Sequence, residues 1–409
     1  MTKQIPQGYK QTKLGIIPED WDVLTINQLV NMSYLYKPLD GNHGDIHPKS
    51  SDFVASGIPF IMANNVRNGI LDLENCAFIT KKQADRLQKG FSITGDVLLT
   101  HKGTVGNVVM VKNLYTDYIM LTPQVTYYRV KDHSQLNRHY IFQYFLSKIF
   151  QQKLQEIAGG GTRAYIGITE QRSLPFILPP LKEQEKIAEM LSTWDDAIAK
   201  QEQLIKQKQV FKKGVMQQIF SQKIRFKDDN GNDYPAWQTK KLGDICIIKK
   251  GEQLNKVHML DDGIYPVLNG GTDYSGLTDK YNTENSITVS EGGNSCGYVS
   301  FVKNKFWAGG HCYTVATKAV QNEYLFYLLK YQESKIMLLR VGSGLPNIQK
   351  STLEKFLITV SCYLDEQTKI ADFLTRIDDE TTKQTEILNQ LKLQKQSLVQ
   401  KLLTGQVRV

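Results

Sequence analysis

The chain has 409 residues, 41% apolar and 22% charged, with 50 Lys and Arg against 41 Asp and Glu for a net charge of +9. That length supports two or three domains with real cores, and the composition is that of an ordinary soluble globular protein. Five scattered cysteines, never in a CxxC pair, argue against a disulfide framework and a zinc site, and no apolar run approaches the ~18 residues of a membrane span.

The opening MTKQIPQGYK lacks the apolar segment of a secretory leader, so the expected compartment is the cytoplasm. The first 226 residues carry a net +8 and the remainder +1. A basic balance of this kind suits phosphate neutralisation on nucleic acid.

From about residue 20, short β-type runs appear at 96–100 (DVLLT), 106–111 (GNVVMV) and 124–130 (QVTYYRV), separated by Gly-, Asn- and Asp-rich turns. Alternation in Tyr127-Tyr128-Arg129 places one tyrosine inside. A short helix is predicted over 140–154. After Pro179-Pro180, residues 182–220 contain no proline and only Gly214. Ile187, Leu191, Trp194, Ile198, Ile205, Val215 and Ile219 step by threes and fours, the stripe of a long helix that needs a partner.

The second half repeats this order. Strands are predicted at 286–290 (SITVS), 297–302 (GYVSFV) and 313–316, a short helix over 324–339, and a long helix striped by Ile370, Leu374, Ile377, Leu388, Leu391, Leu398 and Leu402 that stops at Gly405. Segment 181–226 recurs as 364–409 at a constant offset of 183, without a gap. Glu183, Gln184, Ile187, Leu191, Asp195, Gln201, Lys212 and Arg225 match Glu366, Gln367, Ile370, Leu374, Asp378, Gln384, Lys395 and Arg408. Upstream, Gly106 pairs with Gly297, and Pro18 and Trp21 with Pro235 and Trp237.

The expected fold is α+β: two mixed α/β units, each followed by a long helix, the helices forming an antiparallel coiled coil with internal pseudo-two-fold symmetry. The boundaries are 1–180, 181–222, 223–363 and 364–409. Gln201 and Gln384 lie on the apolar stripes near mid-helix. In an antiparallel pair they face each other and help fix register.

Polar, glycine-rich loops are the candidate surfaces for base contacts: 62–69 (MANNVRNG), 100–106 (THKGTVG) and 159–165 (GGGTRAY), then 269–276 (NGGTDYSG), 291–297 (EGGNSCG) and 342–347 (GSGLPN). Asn pairs with adenine, Arg and Lys with guanine, and Ser or Thr with either. The candidates are Asn64, Asn65, Arg67, His101, Lys102, Thr104, Arg163 and Tyr165 in the first unit, and Asn269, Thr272, Tyr274, Asn294 and Ser295 in the second. At each, a role in shaping its own turn competes with a base contact.

The repeated block, LPPLKEQEKIAEML at 178–191 and YLDEQTKIADFL at 363–374, resembles the repeated helix starts of type I restriction–modification DNA specificity (S) subunits; GSGLPN at 342–347 also resembles that family. The resemblance spans essentially the whole chain. It implies two target-recognition domains, each reading one half of a split, asymmetric double-stranded DNA site. It also implies partners: two methyltransferase (M) subunits that use S-adenosylmethionine, and restriction/translocase (R) subunits that use ATP and Mg. Two departures are visible: Cys362-Tyr363 stands where the first copy has Pro179-Pro180, and GGGTRAY where the second has GSGLPN.

No cofactor is expected in this chain itself. It lacks both the D/N/S-P-P-aromatic motif of adenine methyltransferases and the GxxxxGK[ST] phosphate loop; Gly90–Asp96 has no lysine in the required place. Glu333-Ser334-Lys335 imitates the end of a nuclease site without an upstream aspartate. His43 and His47 have metal-pair spacing without the Glu of HExxH, so no metal and no catalytic residue is assigned. The sequence thus points to a non-catalytic DNA-reading subunit. The alternatives are a coiled-coil scaffold with protein- or RNA-binding domains and an enzyme whose site is not contiguous.

Overall fold

In the computed structural model, which describes residues 5–67, 69–159, 164–342 and 344–409, the chain divides into two compact units. The first comprises residues 1–200 with 388–409, the second residues 201–387. Each therefore holds one globular fold and one half of each long helix.

The first unit is centred on an antiparallel sheet in the order Val108–Met110, Val97–Thr100, Val125–Tyr128, Leu39–Asp40. The two middle strands are buried at every position. A sheet covered on both faces selects continuous apolar runs rather than alternation. Both tyrosines are consequently inside, correcting the expectation of one: Tyr127 is 8% exposed and Tyr128 1%. Tyr128 packs edge-on to Phe145 at 4.7 Å and donates to Gln171 Oε1 at 2.8 Å. Tyr127 faces the other way, toward Ile61, Ile119 and Leu121. Those residues belong to a second sheet, Ala77–Ile79, Ile58–Ile61, Ile119–Leu121 and Phe91–Ser92, whose middle pair is parallel.

The helix predicted over 140–154 is two helices, Arg138–Leu146 and Lys148–Ala158. Ser147 breaks it, because its Oγ accepts from Phe150 N at 3.3 Å and starts the second segment as an N-cap.

The second unit has the same topology. Its main sheet runs Cys246–Lys250, Cys312–Thr317, Ser286–Ser290, Val299–Val302, and a smaller one pairs Tyr265–Leu268 in parallel with Trp307–Ala308. The helix predicted over 324–339 is likewise two, Asn322–Tyr331 and Glu333–Met337. Glu333 accepts from Val299 N at 2.8 Å and Lys330 Nζ at 2.6 Å, so the tripeptide that imitated a nuclease braces a strand end.

The long helices are Leu181–Phe220 and Leu364–Leu403. They pack together antiparallel in each unit. In the first, Lys395 Nζ meets Asp195 Oδ1 at 2.5 Å, and Arg408, beyond the helix end, meets Glu183. In the second, Lys212 Nζ meets Asp378 Oδ1 at 2.5 Å and Arg225 meets Glu366 at 2.9 Å. These are the same two pairs at the 183-residue offset with the helices exchanging roles. The apolar stripe behind them is fully buried at Ile187, Leu191, Leu402 and Leu403 in one unit and at Leu374 in the other, where Ile370 and Ile219 are nearly so. Each such side chain contributes about 1.5–3 kcal/mol. Among the described residues no helix is long and apolar enough to cross a membrane.

The repeated Glu-Gln dipeptide fastens each helix start to its own unit. Gln184 donates to Pro179 O at 2.8 Å and Gln135 O at 3.0 Å and accepts from Asn137 N at 2.9 Å. Gln367 donates to Ser361 O at 2.8 Å and accepts from Gln321 N at 2.7 Å. Glu183 accepts from Trp21 Nε1 at 3.4 Å, and Glu366 from Trp237 Nε1 at 2.9 Å. All four are buried, and satisfying every polar atom is what makes their burial tolerable.

Candidate nucleic-acid interface

In both units one edge of the main sheet ends in loops, and backbone bonds tie those loops together in matching fashion. Just past the strand Val97–Thr100, His101 N donates to Gln124 O at 2.9 Å and His101 O accepts from Ile166 N at 3.0 Å. Just past Ser286–Ser290, Glu291 N donates to His311 O at 2.9 Å and Glu291 O accepts from Ile348 N at 2.8 Å. Gly106 N returns to Thr100 O at 2.9 Å, as Gly297 N does to Ser290 O at 2.8 Å. Both glycines have positive φ, +101° and +90°, which suits them to the tight return.

The third loop of each set is held by side chains. Asn107 Nδ2 donates to Val66 O at 2.8 Å, joining 62–69 to 100–106. Ser295 Oγ donates to Gly270 O at 2.8 Å, joining 291–297 to 269–276. The described residues of the six loops thus form two clusters of three, one per unit.

Several candidates are exposed on these clusters. Asn64, Arg67, Lys102 and Thr104 are at the surface, and Tyr165 is 52% exposed with Lys102 Nζ 6.0 Å from its ring centroid. Arg163 lies outside the described residues. In the second unit Thr272, Tyr274 and Asn294 are exposed, while Asn269 and Ser295 are half-buried and bonded within the cluster.

Two candidates are inside, which corrects their reading as surface contacts. Asn65 is 3% exposed, and its amide accepts from Met62 N at 2.9 Å and reaches Asn75 O at 3.4 Å, closing its own turn. His101 is 1% exposed, and its Nδ1 bonds Ile166 O at 2.9 Å. That bond puts the ring proton on Nδ1, leaving Nε2 buried, without a hydrogen bond and 4.0 Å from Asp40 Oδ2. Burial holds the imidazole below its usual pKa.

Asp40 joins His101 in a polar node that sequence reasoning missed. Its carboxylate also accepts from Lys89 Nζ and, at 2.7 Å, from His43 Nε2. Burial raises its pKa, but the hydrogen bonds from Lys89 and His43 outweigh that and the net shift is downward. At the matching place in the second unit Glu291 accepts from Lys250 Nζ at 2.6 Å and from Tyr313 at 3.1 Å, with His311 Nδ1 at 3.6 Å. Burial and the Glu291 charge push the Tyr313 hydroxyl well above its usual pKa. No local signal announces either node, because Lys89 lies 49 positions from Asp40 and Lys250 lies 41 from Glu291.

Gln201 Nε2 donates to both Oε1 and the backbone O of Gln384, each at 2.8 Å. Among the described residues no group of three or more His, Cys, Asp and Glu side chains could hold a metal. His43 and His47 point to separate partners, Asp40 and Asn42 O.

A family model described as the type I restriction modification DNA specificity domain matches residues 18–209 and again 234–393. The chain is 24% identical over 430 aligned residues to a putative type I restriction enzyme specificity subunit of Methanocaldococcus jannaschii, covering 98% of this chain and 97% of that one. A putative type I specificity subunit of Mycoplasma pneumoniae is 34% identical over 151 residues, 36% of this chain and 40% of its own. The fold resembles the crystal structure of a type I restriction–modification S subunit from M. genitalium, with TM-score 0.60 and 18% identity over 93% of this chain and 96% of that one. It also resembles a chain from a study of type I complex assembly, with TM-score 0.58 and 14% identity over 96% and 99%.

Proposed function

We propose how this chain, which belongs to the type I restriction modification DNA specificity family, does its work as the specificity subunit of such a system. The specificity subunit itself has no catalytic role. Each unit reads one half of a bipartite, asymmetric duplex site through its cluster of three loops. Recognition domains at 1–180 and 223–363 are followed by a spacer helix at 181–222 and by a second spacer helix with the C-terminal tail at 364–409. The chain acts in the cytoplasm. It recruits two methyltransferase subunits, which bring S-adenosylmethionine, and restriction subunits, which bring ATP and Mg.

The observation that carries this reading is that two units of one topology present matching loop clusters filled with unlike residues. Asn64, Arg67, Lys102, Thr104 and Tyr165 in one cluster, and Thr272, Tyr274 and Asn294 in the other, are exposed donors, acceptors and rings able to meet base edges or phosphates. A reader of two identical half-sites would need identical loops.

Replacing residues 21–174 with the same region of a relative, followed by single-molecule sequencing of host DNA, tests the reading. One half of the methylated motif changes and the other stays. A change in both halves, or a methylation pattern indifferent to deletion of the chain, overturns it.

A further inference from the structure

We infer that His101 in the first unit and Tyr313, held by Glu291, in the second are positioning residues for half-site recognition. Each captures one isoleucine carbonyl and thereby sets the reading loops of its own unit. The inference rests on the functional reading above and adds to it the residues that shape each reader.

The strand pairing makes the correspondence exact in sequence terms. Leu99 pairs with Thr126, and Thr126 with Asp40; Val289 pairs with Tyr313, and Tyr313 with Lys250. His101 therefore occupies the place of Glu291, and Asp40 that of Lys250. The backbone bonds of His101 to Ile166 and of Glu291 to Ile348 match as well, as do Gly103 N to Ala164 O at 3.4 Å and Gly293 N to Pro346 O at 3.0 Å. Ile166 and Ile348 are thus one position in two copies. They are buried, at 1% and 0% exposure, and each has its carbonyl bonded by a side chain from the sheet.

The side chain differs. In the first unit His101 Nδ1 donates to Ile166 O at 2.9 Å. In the second unit the donor is the Tyr313 hydroxyl, 3.0 Å from Ile348 O, whose one proton is shared between that carbonyl and Glu291 Oε1. Glu291 has no proton to give and instead lies 3.1 Å from that hydroxyl, anchored by Lys250 at 2.6 Å. The charges around the clamp are reversed: an acid, Asp40, stands behind the histidine, and a base, Lys250, beside the glutamate.

The clamp sits where it can govern recognition. Exposed Lys102 follows His101 directly, and half-exposed Tyr165 precedes Ile166. An antiparallel bridge pairs Lys102 with Tyr165, as another pairs Gly292 with Asn347 beside Ile348. Losing the donor deprives Ile348 O of the Tyr313 hydroxyl and leaves Ile166 O with Gln171 Nε2 alone, at 3.1 Å, while every exposed group remains in place. The predicted signature is therefore loss of discrimination at one half-site rather than loss of a single contact.

The test uses the whole methyltransferase complex assembled on full-length variants, with binding measured on duplexes substituted in either half of the methylated site. His101→Ala lowers discrimination about fivefold at one half, the scale of one hydrogen bond lost from a carbonyl that keeps Gln171 as its second donor, and leaves the other half unchanged. His101→Asn places an amide N–H where Nδ1 stood and restores it. Tyr313→Phe removes one oxygen and affects only the opposite half. If His101→Ala fails to assemble, His101→Asn and Tyr313→Phe still decide. Unchanged discrimination in Tyr313→Phe, no rescue by His101→Asn, or equal weakening at both halves by any variant overturns the inference. Failure of the wild-type complex to discriminate at either half would instead overturn the functional reading itself.

Discussion

The helix anchors and the loop clamps of this chain solve comparable problems in opposite ways. At the anchors, the two units use the same residue types: Trp21, Glu183 and Arg408 in one, Trp237, Glu366 and Arg225 in the other. At the clamps, the same backbone carbonyl is met by a histidine in one unit and a tyrosine in the other. Fastening a helix to a sheet edge requires only a fixed geometry, so one solution serves twice. Shaping a surface that meets a different ligand in each copy requires two.

The largest expected effect probes the anchors. The Glu366 side chain is fully buried and accepts from Trp237, Ser361 and Arg225, whereas that of Glu183 is 11% exposed. Arg225→Ala leaves Glu366 charged and buried without its cation, costing about 3–5 kcal/mol. Arg408→Ala costs less, because Arg408 is 41% exposed and solvent already screens its pair. Denaturant unfolding followed by hydrogen exchange in each unit measures both. Equal losses would break the view that the second anchor is the more deeply buried copy.

Protonation separates the clamps next. Burial lowers the folded pKa of His101 while the unfolded value stays near ~6.5. Above that pH both states are neutral and the histidine contributes no pH dependence. As pH falls through it, the unfolded chain takes the proton first, so the first unit loses stability, at no more than about 1.4 kcal/mol per pH unit. The charge of Asp40 reduces the loss, and those of His43 and Lys102 add to it. The lowered pKa of Asp40 acts in a separate, more acid window, where stability present above its unfolded value is lost as pH falls. Protection of the Ile166 amide, measured against its intrinsic exchange rate, falls between about pH 7 and 5.5 in the wild type and not in His101→Asn, with the Ile348 amide as internal reference. Identical profiles at the two isoleucines would refute the difference.

Much of this comparison was legible in the sequence and part of it was not. A constant offset and a stripe of threes and fours are local signals, so the order of elements, the two long helices and the loops could be read directly. The Glu-Gln repeat was visible but its job was not, since its partners Asn137, Gln321 and Trp237 lie far along the chain. A histidine in THKGTVG reads as a loop residue able to meet a base, yet His101 is 1% exposed. It is the first residue past a buried strand, and the strand's burial extends one position further than the glycine suggests. Asp40, Lys89 and His101 come together only once the sheet forms.

Mid-helix, Gln201 donates to Gln384, its own repeat copy. Gln201→Leu removes the donor to two oxygens of the half-buried Gln384 and costs about 1 kcal/mol. Adding Gln384→Leu recovers most of that by apolar packing but widens the range of helix alignments. Double electron–electron distances between spin labels at exposed Lys200 and Lys383 read this as a broadened distribution. A distribution as narrow as wild type in the double variant would assign alignment to the apolar stripe alone.

The smallest effect gives the most direct comparison of the two copies. Lys395–Asp195 and Lys212–Asp378 are both 2.5 Å long, with lysines 15% and 20% exposed and aspartates 39% and 38%. Partly exposed pairs of this kind contribute about 0.5–1 kcal/mol. Each aspartate also accepts from a short helix of its own unit, Asp195 from Gln143 at 2.6 Å and Asp378 from Tyr327 at 2.8 Å. Single removal of an aspartate thus mixes two interactions, and only a double-mutant cycle isolates the ion pair. Near-equal geometry and exposure predict coupling energies that agree within about 0.3 kcal/mol. A larger difference would mean that the neighbouring Gln or Tyr tunes the pair, and that divergence between the copies begins at the helices rather than at the loops.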